Sequence, residues 1–133
     1  MWALVVMMMV VIPINAIAGT ATIEYIEPGK NHDGTPLTDL KEVILLWKQD
    51  AGAEQKITVP ATSPAGGKAV SRTITFTDPP QCGKTTISVT AQAVDTSGNM
   101  SVKAGPATTT RDRTQEPICI TPKEPTALKL TIQ

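Results

Sequence analysis

The side chains best suited to binding or reaction fall in two short polar runs, Asn31-His32-Asp33 and Asp95-Thr96-Ser97-Gly98-Asn99. Oxygen atoms on Asn31, Asp33, Asp95, Ser97 and Asn99 are the hard donors that a cation or a polar ligand takes. His32 is the only histidine, and a general base would need a nucleophile and an orienting partner beside it. A Gly-rich phosphate loop, paired catalytic carboxylates and an H-E-x-x-H helix are all missing. No catalytic residue and no cofactor is expected, and the chain is not read as an enzyme. The Asx residues also cap turns, and Gly98 can supply a positive φ. The turn reading of these runs therefore comes first and the ligand reading second.

Cys82 and Cys119 are the remaining reactive groups. Two distant cysteines and one histidine make an incomplete metal site, so no metal is expected. In an oxidising compartment an even count points to one bridge, and two free thiols are the alternative.

These residues sit in a chain of 133 residues, enough for one domain. Twelve basic and twelve acidic residues balance, which leaves no basic footprint for nucleic acid. Aromatic residues make up 3% of the chain, so the core must be built from Val, Ile, Leu and Ala, and sugar-stacking platforms are disfavoured. Eleven prolines and nine glycines suit many short strands and turns.

Residues 2–12 are almost wholly apolar, Pro13 breaks the run, and Ala16-Ile17-Ala18 places small residues at A-x-A spacing. This reads as a secretory signal over residues 1–18, cleaved before Gly19, although no Lys or Arg precedes the apolar run. An uncleaved anchor is the rival, but the run is shorter than the ~20 residues that a spanning helix needs. The expected product is secreted or periplasmic, with no stable membrane insertion.

The stretch that organises the rest is residues 87–101. Ile87, Val89, Ala91 and Ala93 alternate with polar residues before the turn-forming cluster at 95–99, as in a strand with one buried face. Ile23 and Tyr25 share a face of a strand at 22–26 that Pro28-Gly29 ends. Leu37 and Leu40, inside a polar loop, are read as plugs for the end of the core. Val43, Leu45 and Trp47 form the inner face of the next strand, with Ile44 and Leu46 on a partly covered outer face. A hairpin around Ala51-Gly52 leads to a short strand at 56–59, and residues 60–68 form a loop. Val70, Ile74 and Phe76 mark a strand over 70–77, in which Arg72 must lie at an edge or snorkel outward. The last strand is expected over 102–111, interrupted by Gly105-Pro106, and Arg111-Asp112-Arg113 reads as a solvated exit segment.

Two motifs carry a family resemblance. V-T-A-Q-A-V-D-T-S-G-N-M-S (89–101) resembles the F strand and F–G loop of fibronectin type III domains, and N-H-D-G-T-P-L-T-D-L (31–40) resembles the B–C segment of a bacterial secreted single-domain subgroup. Tyr25-x-x-Pro28 stands where that subgroup has Trp-x-x-Pro, and Val43 and Ile87 stand where tyrosines are usual. The likeness spans residues 22–110. It implies an all-β fold, a fibronectin type III or immunoglobulin-like antiparallel β-sandwich over residues 19–113, followed by a tail at 114–133. It also implies that the B–C and F–G loops emerge at one end, where Asn31, His32 and Asp33 would face Asp95, Ser97 and Asn99. Strands F and G are then neighbours, which brings Cys82 and Cys119 to one end and makes a bridge between them reachable.

Candidates exist for strands B, C, C′, E, F and G, and none for A. Residues 126–133, T-A-L-K-L-T-I-Q, alternate with Leu128, Leu130 and Ile132 on one face and resemble the opening strand of a type III domain. They are expected to dock beside strand B as a permuted strand A; donation to another copy or a free tail are the alternatives. The expected function is a secreted, non-catalytic binding module for a protein or glycan partner, monomeric unless the edge strand pairs between copies. The alternative is a structural or spacer subunit of an envelope or appendage assembly.

Overall fold

A computed structural model describes residues 18–123, Lys129 and Thr131. The leader expected at 1–18, Ala18 excepted, lies outside the described residues. So does the strand expected at 126–133, save Lys129 and Thr131, which are exposed and join no ladder.

Alternation of apolar and polar residues gives each central strand a buried stripe, and the Gly-, Pro- and Asx-bearing segments between them turn the chain. The strands are β1 (Ala18–Ile26), β2 (Leu40–Gln49), β3 (Gln55–Pro60), β4 (Ala69–Thr77), β5 (Lys84–Asp95) and β6 (Ala104–Asp112), followed by a 3-10 turn at Pro117–Cys119. They form two antiparallel sheets, β1-β4 and β3-β2-β5-β6. Ile23, Val43, Leu45, Val59, Val70, Ile74, Phe76 and Ile87 make one core cluster with contributions from both sheets, an arrangement consistent with a β-sandwich. Leu45, 0% exposed, pairs with Ile57 on one side and Ala91 on the other.

The expected inner faces of β2 and β4 hold, with Ile44 buried on the outer face of β2. Arg72 pairs with the buried Ile23, and because β4 is an edge strand its guanidinium stays exposed and donates to the Ser71 carbonyl at 2.9 Å. Two segments differ from expectation. β1 starts at Ala18 rather than Thr22, because residues 18–21 find partners in Ile74–Thr77. The small residues there have a packing role: a Cβ on Gly19 would lie 2.5 Å from the Phe76 ring. β6 starts at Ala104, not Val102, and runs through Gly105-Pro106 without a break. Ala91 pairs with Ala104 and Val89 with Ala107, so two residues of β6 oppose one of β5 as a bulge.

Polar side chains lock the end of the molecule where β2 meets β3. Gln49 Nε2 donates to the Thr77 carbonyl at 2.6 Å and to Thr85 Oγ1 at 2.9 Å, and its Oε1 accepts from the Thr77 amide at 3.2 Å, so one side chain bridges both sheets. Asp50 accepts from the buried Thr85 hydroxyl at 2.6 Å and from the Thr86 amide at 2.8 Å. At the same end Cys82 and Cys119 form a disulfide with Cα atoms 5.2 Å apart, which suggests an oxidising, non-cytoplasmic compartment. Arg113, expected from sequence to be solvated, is instead half-buried. It pairs with both Glu116 carboxylate oxygens at 2.8 and 3.2 Å and donates to the Pro79 carbonyl at 3.1 Å. The bridge and this arginine hold the corner before β5, the strand that carries buried Ile87.

The Thr85 hydroxyl and the Thr86 amide hold the Asp50 carboxyl below its ordinary value of 3.8. A depressed folded-state pKa adds stability that is present above the unfolded value and is lost as pH falls through the folded one. Asp50→Asn should therefore lower the melting temperature at pH 6, and its deficit against wild type should shrink below about pH 3.8. Thermal unfolding of both proteins across that window checks it; a deficit independent of pH would contradict the assignment.

Candidate functional site

The two polar runs lie in loops 27–39 and 96–103, at the opposite end from the disulfide. Backbone pairing places them side by side: Leu40 pairs with Asp95, and the Thr96 amide donates to the Asp39 carbonyl at 2.9 Å. Leu37 and Leu40 are buried as core plugs and, with buried Val94, line a cleft of about 200 Å³. Lys30, Asn31 and His32 border it from the first loop, and Asp95, Asn99 and Met100 from the second. Of the six candidate residues, Asn31, His32, Asp95 and Asn99 come together around the cleft. Asp33 and Ser97 do not line it, because each is held in its own turn.

The hydrogen bonds explain that division. Asp33 Oδ1 accepts from the Thr35 hydroxyl at 2.6 Å and the Thr35 amide at 3.0 Å, an Asx turn that Gly34 completes at φ 85°. These bonds, the hydroxyl's first, keep the Asp33 carboxyl below its ordinary value. Asp95 is engaged more fully. Its Oδ1 accepts from the Ser97 and Asn99 amides at 2.9 and 2.8 Å, and its Oδ2 accepts from the Asn99 side-chain amide at 2.8 Å. Asn99, through its side chain and then its backbone, is the main cause of a lowered Asp95 pKa. The Asn31 amide is spent on Thr35 Oγ1 and the Pro36 carbonyl at 3.0 and 3.3 Å. Both carboxylates thus serve their own loops, and a cation would have to compete with those bonds. Among the described residues no three His, Cys, Asp or Glu side chains gather around one point. The cleft offers a partner His32, Lys30 and an apolar floor.

One residue that positions this end is not among the sequence candidates. Glu27 is 2% exposed, and its carboxylate accepts from the Thr62 amide at 2.8 Å and the Thr62 hydroxyl at 2.6 Å. Its backbone amide donates to the Lys68 carbonyl, and its carbonyl accepts from the Gly67 amide. Loop 61–68 is thereby fixed to the end of β1, and it also meets the second strand through the Leu40 amide and Pro64 carbonyl at 2.9 Å. The available signal was register: Ile23, Tyr25 and Glu27 share one alternation, so a carboxylate was due on the inner face.

Gly98 sits at φ 86° with open space around it, so Gly98→Val should cost about 1–2 kcal/mol through backbone strain alone. His32→Ala, at an exposed position, should stay within about 0.5 kcal/mol of wild type. Glu27→Ala should cost about 1.5–3 kcal/mol, the range for hydrogen bonds to a charged group. Urea unfolding of the three variants checks the order; a Glu27→Ala protein as stable as His32→Ala would show that the buried carboxylate does not hold loop 61–68.

Compared with models of known families, with curated proteins and with solved structures, the chain finds no match.

Proposed function

We propose that the chain is an exported, non-catalytic binding module of fibronectin type III, immunoglobulin-like type, and that it takes a protein partner at the end formed by loops 27–39 and 96–103. The sheet orders β1-β4 and β3-β2-β5-β6 support the fold assignment, since they are the orders that B-E and C′-C-F-G take in such a domain. The disulfide supports export, and no helix among the described residues is long and apolar enough to cross a membrane.

The observation that carries the binding reading is the cleft between the two loops. Its floor is apolar, its polar lining comes from both loops, and Met100 at its border is 54% exposed, with Val102 beyond it 87% exposed. A flexible methionine and an exposed valine beside a cationic side chain suit a protein surface. No Tyr, Trp or Phe lines the cleft, so the stacking that a glycan would use is not offered there.

The test is affinity capture from the envelope fraction of the source cells with immobilised mature protein, followed by mass spectrometry. A partner retained by wild type and by Lys56→Ala, a distant surface control, should be lost on Met100→Glu with unchanged melting temperature. Equal capture by all three, or recovery of the native protein solely as a polymer or wall-attached fraction, would favour a structural subunit instead.

A further inference from the structure

Asp78 follows directly on β4, and its Oδ1 is buried with no hydrogen-bond partner among the described residues. A buried carboxylate oxygen left without a donor is costly, and a cationic donor offsets that cost best. The nearest arginine does not supply one. Arg111 Nε stands 3.6 Å away, beyond hydrogen-bond length, on a side chain that is 55% exposed. Arg113 lies near enough to feel the Asp78 charge, but its guanidinium is spent on both Glu116 oxygens and the Pro79 carbonyl.

The other neighbour of this oxygen is Gly19. A Cβ built on Gly19 would lie 2.8 Å from Asp78 Oδ1 and 2.5 Å from the Phe76 ring. A side chain is thereby excluded at position 19, and the space beside the carboxylate stays open. The Gly19 nitrogen shares its Cα with that Cβ position, which puts it within roughly 5.5 Å of Oδ1. Inside the chain this nitrogen is a neutral amide held in β1, where Ala18 pairs with Thr77 and Gly19 with Phe76. It is also the first atom of the product that cleavage after Ala16-Ile17-Ala18 would release.

We infer that removal of the leader creates the missing partner: the α-ammonium of Gly19 forms an ion pair with Asp78 Oδ1, a lock that the precursor cannot make. Hydrolysis of the Ala18–Gly19 bond consumes one water and leaves a carboxylate on Ala18 and an amine on Gly19. That amine takes up a proton at neutral pH, because its ordinary pKa is about 7.7–8.0. The freed terminus can turn about its Cα–C bond while the Gly19 carbonyl stays in β1. This brings the nitrogen toward the about 2.7–2.9 Å of a charge-assisted hydrogen bond. The pair ties the first residue of mature β1 to the segment that leads from β4 into Cys82. Processing and closure of this corner thus become one event. The inference rests on the export reading and adds to it a fold that gains stability only after the leader is gone.

The test begins with the mass of the protein isolated from its source cells. A chain that keeps Met1 would remove the export reading itself, whereas a processed chain with a first residue other than Gly19 would overturn the lock alone. Acylation of the α-amine at pH 7 is then followed by mass spectrometry on oxidised protein that starts at Gly19. Asp78 raises the pKa of the ammonium against the opposing charges of exposed Arg111 and of Arg113, the latter offset by Glu116. The amine should react at least ~10-fold more slowly than that of the peptide Gly-Thr-Ala-Thr, the equivalent of one pKa unit, and Asp78→Asn should restore the faster rate. N-terminal acetylation should lower the melting temperature of wild type by on the order of 4 °C and leave that of Asp78→Asn unchanged. An amine as reactive as the peptide's, or an equal effect of acetylation on both proteins, would overturn the inference. Should Asp78→Asn not fold, the comparison of wild type with the peptide decides.

Discussion

The pairing of β2 with β5 is the contact on which the rest of the molecule depends. It runs from Leu40↔Asp95 to Gln49↔Ile87 through the middle of the larger sheet. Leu45 lies at its centre, without exposed surface, over Ala91. Ile23, Ile74 and Phe76 of the smaller sheet reach the same cluster, against which Ala91 also packs. With few aromatic side chains available, the core is built mainly from branched aliphatic residues, each contributing on the order of 1.5–3 kcal/mol on burial. The same ladder sets both ends of the molecule. Its first pair brings the two polar loops together, and its last places Gln49 against the smaller sheet.

The two ends use polar groups in different ways. At the disulfide end, Gln49 and Asp50 connect strands distant in sequence, and Arg113 with Glu116 closes the corner. At the loop end, Asp33 and Asp95 bond only within their own turns, while buried Glu27 makes the long-range contact to Thr62. A carboxylate that satisfies amides two to four residues away fixes a loop's shape at little cost to its neighbours, and it leaves the adjoining surface to other side chains. That is why the loop end presents His32, Lys30 and Met100 rather than a ring of acidic oxygens.

What could be read from sequence follows from how local each cause is. The buried stripes of β2 and β4, the plugs Leu37 and Leu40, and the turn character of residues 95–99 all arise from alternation and side-chain chemistry within a few residues. The Cys82–Cys119 bridge was legible because neighbouring strands bring the two segments to one end. Glu27 with Thr62 was not legible, because thirty-five residues separate them and loop 61–68 has no period to place it. The start of β1 at Ala18 was hidden for a similar reason: A-G-T-A has no alternation, and its partners lie in β4. Residues 31–33 and 95–99 were placed at one end correctly, but which of them face the cleft depends on turn geometry. Asp33 and Ser97 drop out on that ground.

Among the described residues the smaller sheet has two strands against four in the larger, and all nine residues of β6 are exposed. In a two-layer fold every strand of the wider sheet needs something above it, or its inner residues must tolerate water. β6 meets the second condition through composition: Ala107, Thr109 and Arg111 occupy inner positions where a covered strand would have Val, Ile or Leu. Ala107 and Thr109 are small and Arg111 is charged, so the three face water without forming a large apolar patch. A larger apolar set would have made the exposed face sticky. The composition of β6 therefore suits a strand whose residues stay in contact with solvent.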